Sequence, residues 1–220
     1  ASGRKPLMDA AFHNDAATMN SILRSPDGNV NCVNRKLQTS LMCAAEQGHT
    51  NSVNMLLAAK AALDAQDIDG RAALMYAASN NHVGVVQILI DAKASLNTTD
   101  RWFKAALAMA ARGGHTAAAK AIITAKADLD MQDYSGKNAI MFAAKKGDIE
   151  TVCSLIEGKA ELNLQDKEGE CALSYAKTAR HDAIVKELIA AGAAPIDIDG
   201  DNGSDSDDLM PLDEFLMFPS

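Results

Sequence analysis

Four histidines recur at a spacing that suggests a metal site. His49, His82 and His115 follow one another at a constant interval, and His181 follows at twice that interval with Asp148 between. Imidazole is a common zinc ligand, but its nitrogen must approach the ion to about 2.1 Å. Side chains that recur once per packed helix lie about 10 Å apart, too far for one ion to be shared. We therefore predict a structural role for these histidines and no metal site.

The motifs of the common catalytic sites are absent from the sequence. It contains no Gly-x-Ser-x-Gly nucleophile elbow, no phosphate-binding Gly-rich loop and no His-Glu-x-x-His pair. Cys32, Cys43, Cys153 and Cys171 form no Cys-x-x-Cys pair, which favours a reducing compartment. Cys43 and Cys171 fall within or beside predicted helices, where small residues are buried, and we expect both to be inert. We predict a non-enzymatic protein with no cofactor.

An acidic stretch near the C-terminus has part of the pattern of a calcium-binding loop. Asp197, Asp199 and Asp201 have the alternating spacing with which such a loop opens, and Asp208 occupies its twelfth position. However, Asn202 stands where the loop needs Gly for its sharp turn. We therefore predict no calcium site here.

The histidines belong to a repeat of about 33 residues that runs through most of the chain. Equivalent positions hold Asp67, Asp100, Asp133 and Asp166; Leu41, Leu74, Leu107, Ile140 and Leu173; and Ala44, Ala77, Ala110, Ala143 and Ala176. Within residues 67–99, a turn precedes the apolar stretch 73–78, and apolar residues three and four positions apart follow over 85–90. Helices this short are unstable alone, because helix nucleation is costly. We therefore predict helix pairs that stack into a solenoid.

The unit resembles the ankyrin repeat, and the chain is similar to that family from residue 5 to about residue 195. The resemblance rests on Asp67-x-x-Gly70-x-x-Ala73-Leu74-x-x-Ala77-Ala78-x-x-x-His82, whose period and order of elements return in five full units. It implies an all-α fold, an α-solenoid of stacked helix-turn-helix ankyrin repeats with about six units, the first of them irregular. The predicted units of this repeat domain, residues 1–195, are 5–33, 34–66, 67–99, 100–132, 133–165 and 166–195.

The chain departs from the family at positions that usually stabilise helix ends. The family's Thr-Pro-Leu-His is replaced in each unit, often with Met in place of His, so we expect apolar packing instead of a hydrogen bond. The Gly that usually follows the second helix is Lys in four units, which costs about 1 kcal/mol each if the left-handed backbone is kept. The family's His is replaced by Met42, Met75 and Met141, and its Gly after the second helix is replaced by Lys60, Lys93, Lys126 and Lys159.

Acidic residues are concentrated at the C-terminal end. Residues 196–220 hold eight of the 29 acids and no Lys or Arg, so residues 1–195 carry 21 acids against 21 bases and are formally neutral. No apolar run approaches the roughly 18 residues needed to span a bilayer, and no signal-like stretch opens the sequence. We expect a soluble, monomeric protein of the cytoplasm, with the nucleus as an alternative. Because the sequence begins without Met, we also expect a processed or excised piece of a longer protein.

The resemblance implies a binding surface, because ankyrin partners generally engage the turn tips and the exposed face of the first helices. At the matching positions the middle of the chain is basic and aromatic, which complements an acidic or acidic-apolar segment of a partner. The predicted partner-binding residues are Arg71, Arg101, Trp102, Lys104, Arg112, Tyr134, Lys137, Lys145 and Lys146. Trp102 is the strongest candidate, with the alternative that it folds back over Phe103 and a neighbouring unit.

The C-terminal tail, residues 196–220, is acidic first and apolar afterwards. The apolar residues predicted to act as a ligand or a cap are Leu209, Met210, Leu212, Phe215, Leu216 and Phe218. An apolar cluster of this density should be covered, and three roles follow. The tail docks in the protein's own groove as a competitor of the partner, or it seals the end of the solenoid, or it binds another protein.

These patterns together predict a protein–protein interaction module, serving as an adaptor, scaffold or targeting protein. The alternative is a regulatory ankyrin fragment of a larger enzyme such as a kinase. Nucleic-acid binding through the basic tips is disfavoured, because the repeat domain is neutral and the acidic tail would repel phosphate.

Overall fold

The computed structural model describes residues 5–26 and 28–194, which form helices and turns without any strand. The prediction of an all-α fold is confirmed. The tail of residues 196–220 lies outside the described residues, and the three roles proposed for it stay predictions. The helices form six consecutive pairs: α1 (Pro6–Phe12) and α2 (Ala16–Arg24), α3 (Ser40–Gln47) and α4 (Thr50–Ala58), α5 (Ala73–Ser79) and α6 (Val83–Asp91), α7 (Ala106–Gly113) and α8 (Thr116–Thr124), α9 (Ala139–Lys146) and α10 (Ile149–Glu157), and α11 (Ala172–Thr178) and α12 (Asp182–Ala190).

A left-handed residue follows the first helix of each pair or lies within its closing turn. These residues are Asn14, Gly48, Asn81, Gly114, Gly147 and Arg180, with φ between 56° and 84°. A left-handed backbone ends a helix and lets the following N–H satisfy one of its last carbonyls. For example, the His82 N–H donates to the Ala77 carbonyl at 2.9 Å. The second helix therefore starts at once and packs beside the first.

The pairs stack in chain order and make two layers of helices. Each first helix contacts the first helix of the next pair, and each second helix contacts the next second helix. One continuous core lies between them. Ala44, Ala77 and Ala110 are fully buried in it, so neighbouring helices approach closely, while Leu56 and Leu89 fill the space beneath the second helices. The predicted solenoid is confirmed.

The departures from the family pattern take the predicted form in part, because the Sδ atom of Met42 also accepts a hydrogen bond from the Thr39 N–H at 3.4 Å. The three methionines that replace the family's histidine are buried, each with 2% or less of its surface exposed. The four lysines that replace glycine keep the left-handed backbone, with φ of 62° at Lys60, 70° at Lys93, 68° at Lys126 and 66° at Lys159. The fold therefore combines close apolar packing with strained lysine positions.

The recurring histidines join neighbouring helix pairs, which confirms a structural role for the first three. The Nε2 atom of His49 lies 3.0 Å from the Phe12 carbonyl oxygen. His82 makes the equivalent 2.9 Å contact with the Glu46 carbonyl, and His115 contacts the carbonyl of residue 79 at 3.0 Å. Each imidazole thus satisfies a carbonyl in the last turn of the preceding first helix.

Residues 5–26 and 28–194 contain neither a metal-binding cluster nor a membrane-spanning helix. No three His, Cys, Asp or Glu side chains there come close enough together to hold a metal ion. None of the helices in that part of the chain has the length and apolar character needed to cross a membrane.

Candidate protein-binding surface

A buried aspartate shapes each of four turn tips that precede the first helices. The Oδ1 atom of Asp100 accepts hydrogen bonds from the N–H groups of Trp102 and Lys104, both at 2.9 Å. Asp133 binds the N–H groups of Ser135 and Lys137 in the same way, at 2.8 Å and 3.1 Å. Because these bonds fix the backbone, the side chains that follow each aspartate are presented in a regular array. Asp67 and Asp166 have the same two bonds.

Backbone hydrogen bonds also connect successive tips. The Arg101 N–H donates to the Asp69 carbonyl at 2.9 Å, and the Tyr134 N–H donates to the Trp102 carbonyl at 2.8 Å. The same bond recurs from Lys167. The tips therefore form a continuous edge, and basic residues on adjacent tips keep a constant spacing.

A groove of about 490 Å³ lies between two of these tips and the ends of α7 and α9. We call it the basic groove; it is lined by Lys104, Arg112, Asp133, Ser135, Lys137, Phe142, Lys145 and Lys146. Lys104 and Lys137 come from the tips, whereas Arg112, Lys145 and Lys146 come from the last turns of α7 and α9. Cations at these helix ends are favoured by the negative end of the helix dipole. The structure thus brings five of the nine predicted partner-binding residues together.

Most of the positive charge in the basic groove is not neutralised. Lys137 lies 3.6 Å from an Asp166 oxygen and 3.9 Å from a Glu168 oxygen. The Tyr175 hydroxyl, followed by these carboxylates, raises the pKa of Lys137, so this amine stays charged at neutral pH. The other four cations have no carboxylate oxygen within 4.0 Å among the described residues. The groove therefore favours a negatively charged ligand.

Trp102 lies beside the basic groove within a cluster of three cations. The Arg101 guanidinium carbon is 4.2 Å from the centroid of the indole ring, and that of Arg71 is 5.7 Å away. Lys104, which also lines the groove, has its Nζ 5.6 Å from the same ring. The Trp102 cluster and the groove are therefore contiguous. Phe103 remains 57% exposed, which argues against the part of the alternative in which Trp102 covers it. The other part, packing on a neighbouring unit, agrees with the contact to Arg71 of the preceding unit.

Tyr134 is placed apart from the groove lining. Its side chain is 65% exposed, and the Lys167 Nζ lies 4.0 Å from its ring centroid. Of the nine predicted residues, Tyr134 is thus the one that belongs neither to the groove lining nor to the Trp102 cluster.

Two groove residues, Asp133 and Phe142, were not predicted from the sequence, whereas Ser135 lies on a turn tip that the resemblance places at the partner surface. Phe142 occupies the position nine residues after a tip aspartate, where two other helix pairs have tyrosine. The Tyr76 hydroxyl donates to the Oδ2 atom of Asp67 at 2.5 Å, and Tyr175 makes the same bond to Asp166. The spacing of nine residues between a tip aspartate and an aromatic residue could have indicated from the sequence that Phe142 lies beside Asp133.

The two middle tips lack that tyrosine hydroxyl. Met109 and Phe142 replace it, and the Oδ2 atoms of Asp100 and Asp133 accept no hydrogen bond from the described residues. The Asp100 oxygen is buried 4.0 Å from the Arg71 Nε, which also has no hydrogen-bond partner there. The Asp133 side chain instead borders the basic groove. The tips before α7 and α9 thus each have an aspartate oxygen that accepts no hydrogen bond from the described residues.

Comparisons with known proteins agree with this architecture. The family model described as ankyrin repeats (3 copies) matches residues 7–100 and 107–202. A crystal structure at 1.00 Å resolution of an ankyrin repeat domain from Acinetobacter baumannii AYE superposes with a TM-score of 0.80 at 27% sequence identity. The match covers 86% of this chain and 98% of that one. No curated protein matches the sequence.

Proposed function

Since the chain belongs to the ankyrin repeat family, whose repeats are generic protein–protein interaction modules, we propose that it is a non-enzymatic binding protein for an acidic or acidic-apolar segment of a partner. The observation that supports this most strongly is the basic groove. Four of its cations have no carboxylate partner among the described residues, and one aromatic ring, Phe142, lies among them.

At the last position of the turn tips, positive charge occurs only in the middle pairs of the solenoid. The tip position of Lys104 and Lys137 is occupied by Gln38 in the second pair and by Glu170 in the sixth. An acidic partner is therefore attracted to the third, fourth and fifth pairs and repelled at the C-terminal end. The third and fifth pairs are two helix spacings apart, at about 10 Å per spacing. An extended peptide rises about 3.3 Å per residue, so about six residues cover that distance. The recognised segment therefore needs two or three acids within that short stretch.

Aromatic side chains in and beside the groove favour an apolar component in the ligand. Phe142 lines the groove, and Trp102 stands next to it with its ring partly exposed. Aromatic and Arg side chains are the residues that most often dominate binding energy. An apolar partner residue packed on either ring would add to the electrostatic attraction. This combination supports an acidic-apolar segment as the ligand over a purely acidic one.

The chain's own tail has the composition of such a ligand. Residues 205–218 contain five acids and seven large apolar side chains, and the sequence continues from Ala194 to Ser220. Extended at about 3.3 Å per residue, that stretch reaches about 85 Å, whereas six stacked pairs span about 60 Å. The tail is thus long enough to enter the groove and compete with the partner. The alternative, that the tail covers the last pair, is supported by Ile189 of α12, which is 54% exposed.

Fluorescence polarisation with a labelled peptide of residues 205–218 tests the groove. We expect the double variant Arg112→Gln/Lys145→Gln to weaken binding by about tenfold to a hundredfold at low salt. The control variant Lys177→Gln/Lys186→Gln removes two exposed cations of the last pair, α11 and α12, and should bind as the parent does. Equal losses in the two variants would show that net charge, and not the groove, governs binding.

Competition by the tail is tested in the full chain. Replacing the five acids of residues 205–214 by Asn or Gln should strengthen binding of the labelled peptide. It should also shift the emission of Trp102, the single tryptophan of the chain. If neither changes, the tail does not occupy the groove, and covering of Ile189 becomes the better explanation.

A further inference from the structure

The positive charge of the basic groove exceeds the single negative charge that one Asp or Glu side chain of a partner could supply. Five cations and one carboxylate line it, and four of the cations lack a counter-ion among the described residues. We propose that the partner segment is phosphorylated on Ser or Thr and that its phosphate binds between the ends of α7 and α9. This inference rests on the proposed function, since it names the chemistry of the segment that the groove binds.

The groove cations come from two helix pairs, and Lys145 and Lys146 of α9 extend towards different neighbours: the Lys145 Nζ lies 5.4 Å from the ring centroid of Tyr175 in the next pair. Lys146 reaches from α9 across to Gly114, which follows α7: a Cβ on Gly114 would lie 3.0 Å from the Cε atom of Lys146. Arg112 is two residues before that glycine, and Lys145 occupies the position equivalent to Arg112 in the next pair. Like charges brought together in this way repel, and a dianion relieves that repulsion better than a monoanion.

Arg112 is suited to the planar recognition of phosphate. It is exposed at the end of α7, and its guanidinium group has no ion-pair partner among the described residues. An arginine fork donates two parallel hydrogen bonds to phosphate, whereas lysine acts as a point charge. A phosphate carries a charge of about −1.5 to −2 at pH 7 and has three acceptor oxygens, compared with one charge and two oxygens on a carboxylate. Arg112 and Lys146 together match the phosphate, and Lys145 adds positive charge to the groove lining.

Asp133 favours a phosphorylated polypeptide over a nucleic-acid strand. It borders the groove, and its Oδ2 atom accepts no hydrogen bond from the described residues, because Phe142 stands where other pairs have a tyrosine hydroxyl. A polypeptide has backbone N–H groups beside its phosphate and can donate to this oxygen. A sugar-phosphate backbone offers successive anions and is repelled by it.

The test uses the 220-residue chain and three peptides of residues 204–218 that differ at one position. The residue at position 206 is Ser, Glu or phosphoserine, and binding is measured by isothermal titration calorimetry. We expect the phosphoserine peptide to bind about tenfold more tightly than the Glu peptide. Arg112→Lys, which keeps the charge but loses the fork, should remove most of that preference. Lys186→Gln, on α12, should leave it unchanged.

The outcomes separate this inference from the proposed function. Equal affinity for the phosphoserine and Glu peptides would overturn the phosphate site and leave acidic-segment binding intact. Failure of all three peptides to bind would overturn both. A phosphoserine preference that survives in Arg112→Gln/Lys145→Gln would overturn the assignment to this groove. A single-stranded oligonucleotide that binds more tightly than the phosphoserine peptide, and loses affinity in that double variant, would identify nucleic acid as the ligand.

Discussion

Replacing Tyr76 by Phe is expected to lower the free energy of unfolding by about 2 kcal/mol, because one hydroxyl joins two turn tips. The Tyr76 hydroxyl donates to Asp67 Oδ2 at 2.5 Å and accepts from the Gln38 Nε2 at 3.0 Å. Gln38 belongs to the tip before α3, and Asp67 to the tip before α5. The variant leaves both tips without this connection.

The magnitude follows from the burial of the groups that lose a partner. Asp67 is 6% exposed and Tyr76 is 7% exposed, so water does not readily replace the missing hydroxyl. A hydrogen bond to a charged group contributes about 1.5–3 kcal/mol, and a buried acceptor left unsatisfied incurs a desolvation cost of similar size. A value of about 2 kcal/mol is near the centre of that range.

The effect of the Tyr76→Phe substitution also depends on pH. Burial, followed by the hydrogen bond to Asp67, raises the pKa of Tyr76 above its ordinary value of 10.0. Because the folded pKa is raised, the stabilisation is fully present below pH 10. It is lost as the pH rises further, since the unfolded tyrosine ionises first. The difference between parent and variant should therefore shrink above pH 10.

Equilibrium urea unfolding at pH 7 and at pH 10.5 measures both effects, provided that the m value is unchanged. Tyr134→Phe is the matched control, because Tyr134 is 65% exposed and its hydroxyl has no hydrogen bond among the described residues. That control should change stability by less than about 0.5 kcal/mol. A similarly small change in Tyr76→Phe would refute the argument that the hydroxyl connects the tips.

Three further substitutions test other parts of the structure by the same unfolding measurement. Phe142→Tyr should stabilise the fold by about 1 kcal/mol by supplying the donor that Asp133 lacks; a loss of stability would show that the hydroxyl does not reach it. Lys60→Gly should stabilise by about 1 kcal/mol by relieving a left-handed backbone with φ of 62°. His82→Leu should destabilise by about 1–2 kcal/mol by leaving the Glu46 carbonyl unsatisfied, and an unchanged stability would contradict a joining role for this histidine.

The helices and their stacking were predictable because their causes are local and recur. A constant period holds Ala77 and Leu89 in register with their equivalents, and such short helices can be stable only when they pack on neighbours. The left-handed lysines were predictable for the same reason, since their position after each second helix is set by chain geometry. The basic character of the middle tips likewise follows from residue types alone.

The roles of individual charges depended on contacts between units. Lys137 and Arg112 are both cations at predicted binding positions, yet Lys137 is paired with Asp166 of the next tip and Arg112 has no ion-pair partner within the described residues. The sequence does not distinguish them, because the reach of a side chain from one stacked pair to the next depends on its rotamer and on the twist of the stack.

The sequence by itself thus determined the repeat, the helical fold and the general position of a basic surface, all of which arise from local periodicity and composition. Only the tertiary structure decided which cations share a groove and that Trp102 stands beside Lys104. These outcomes depend on distances between residues of different helix pairs. Such distances are fixed when the pairs pack, and no spacing along the chain encodes them.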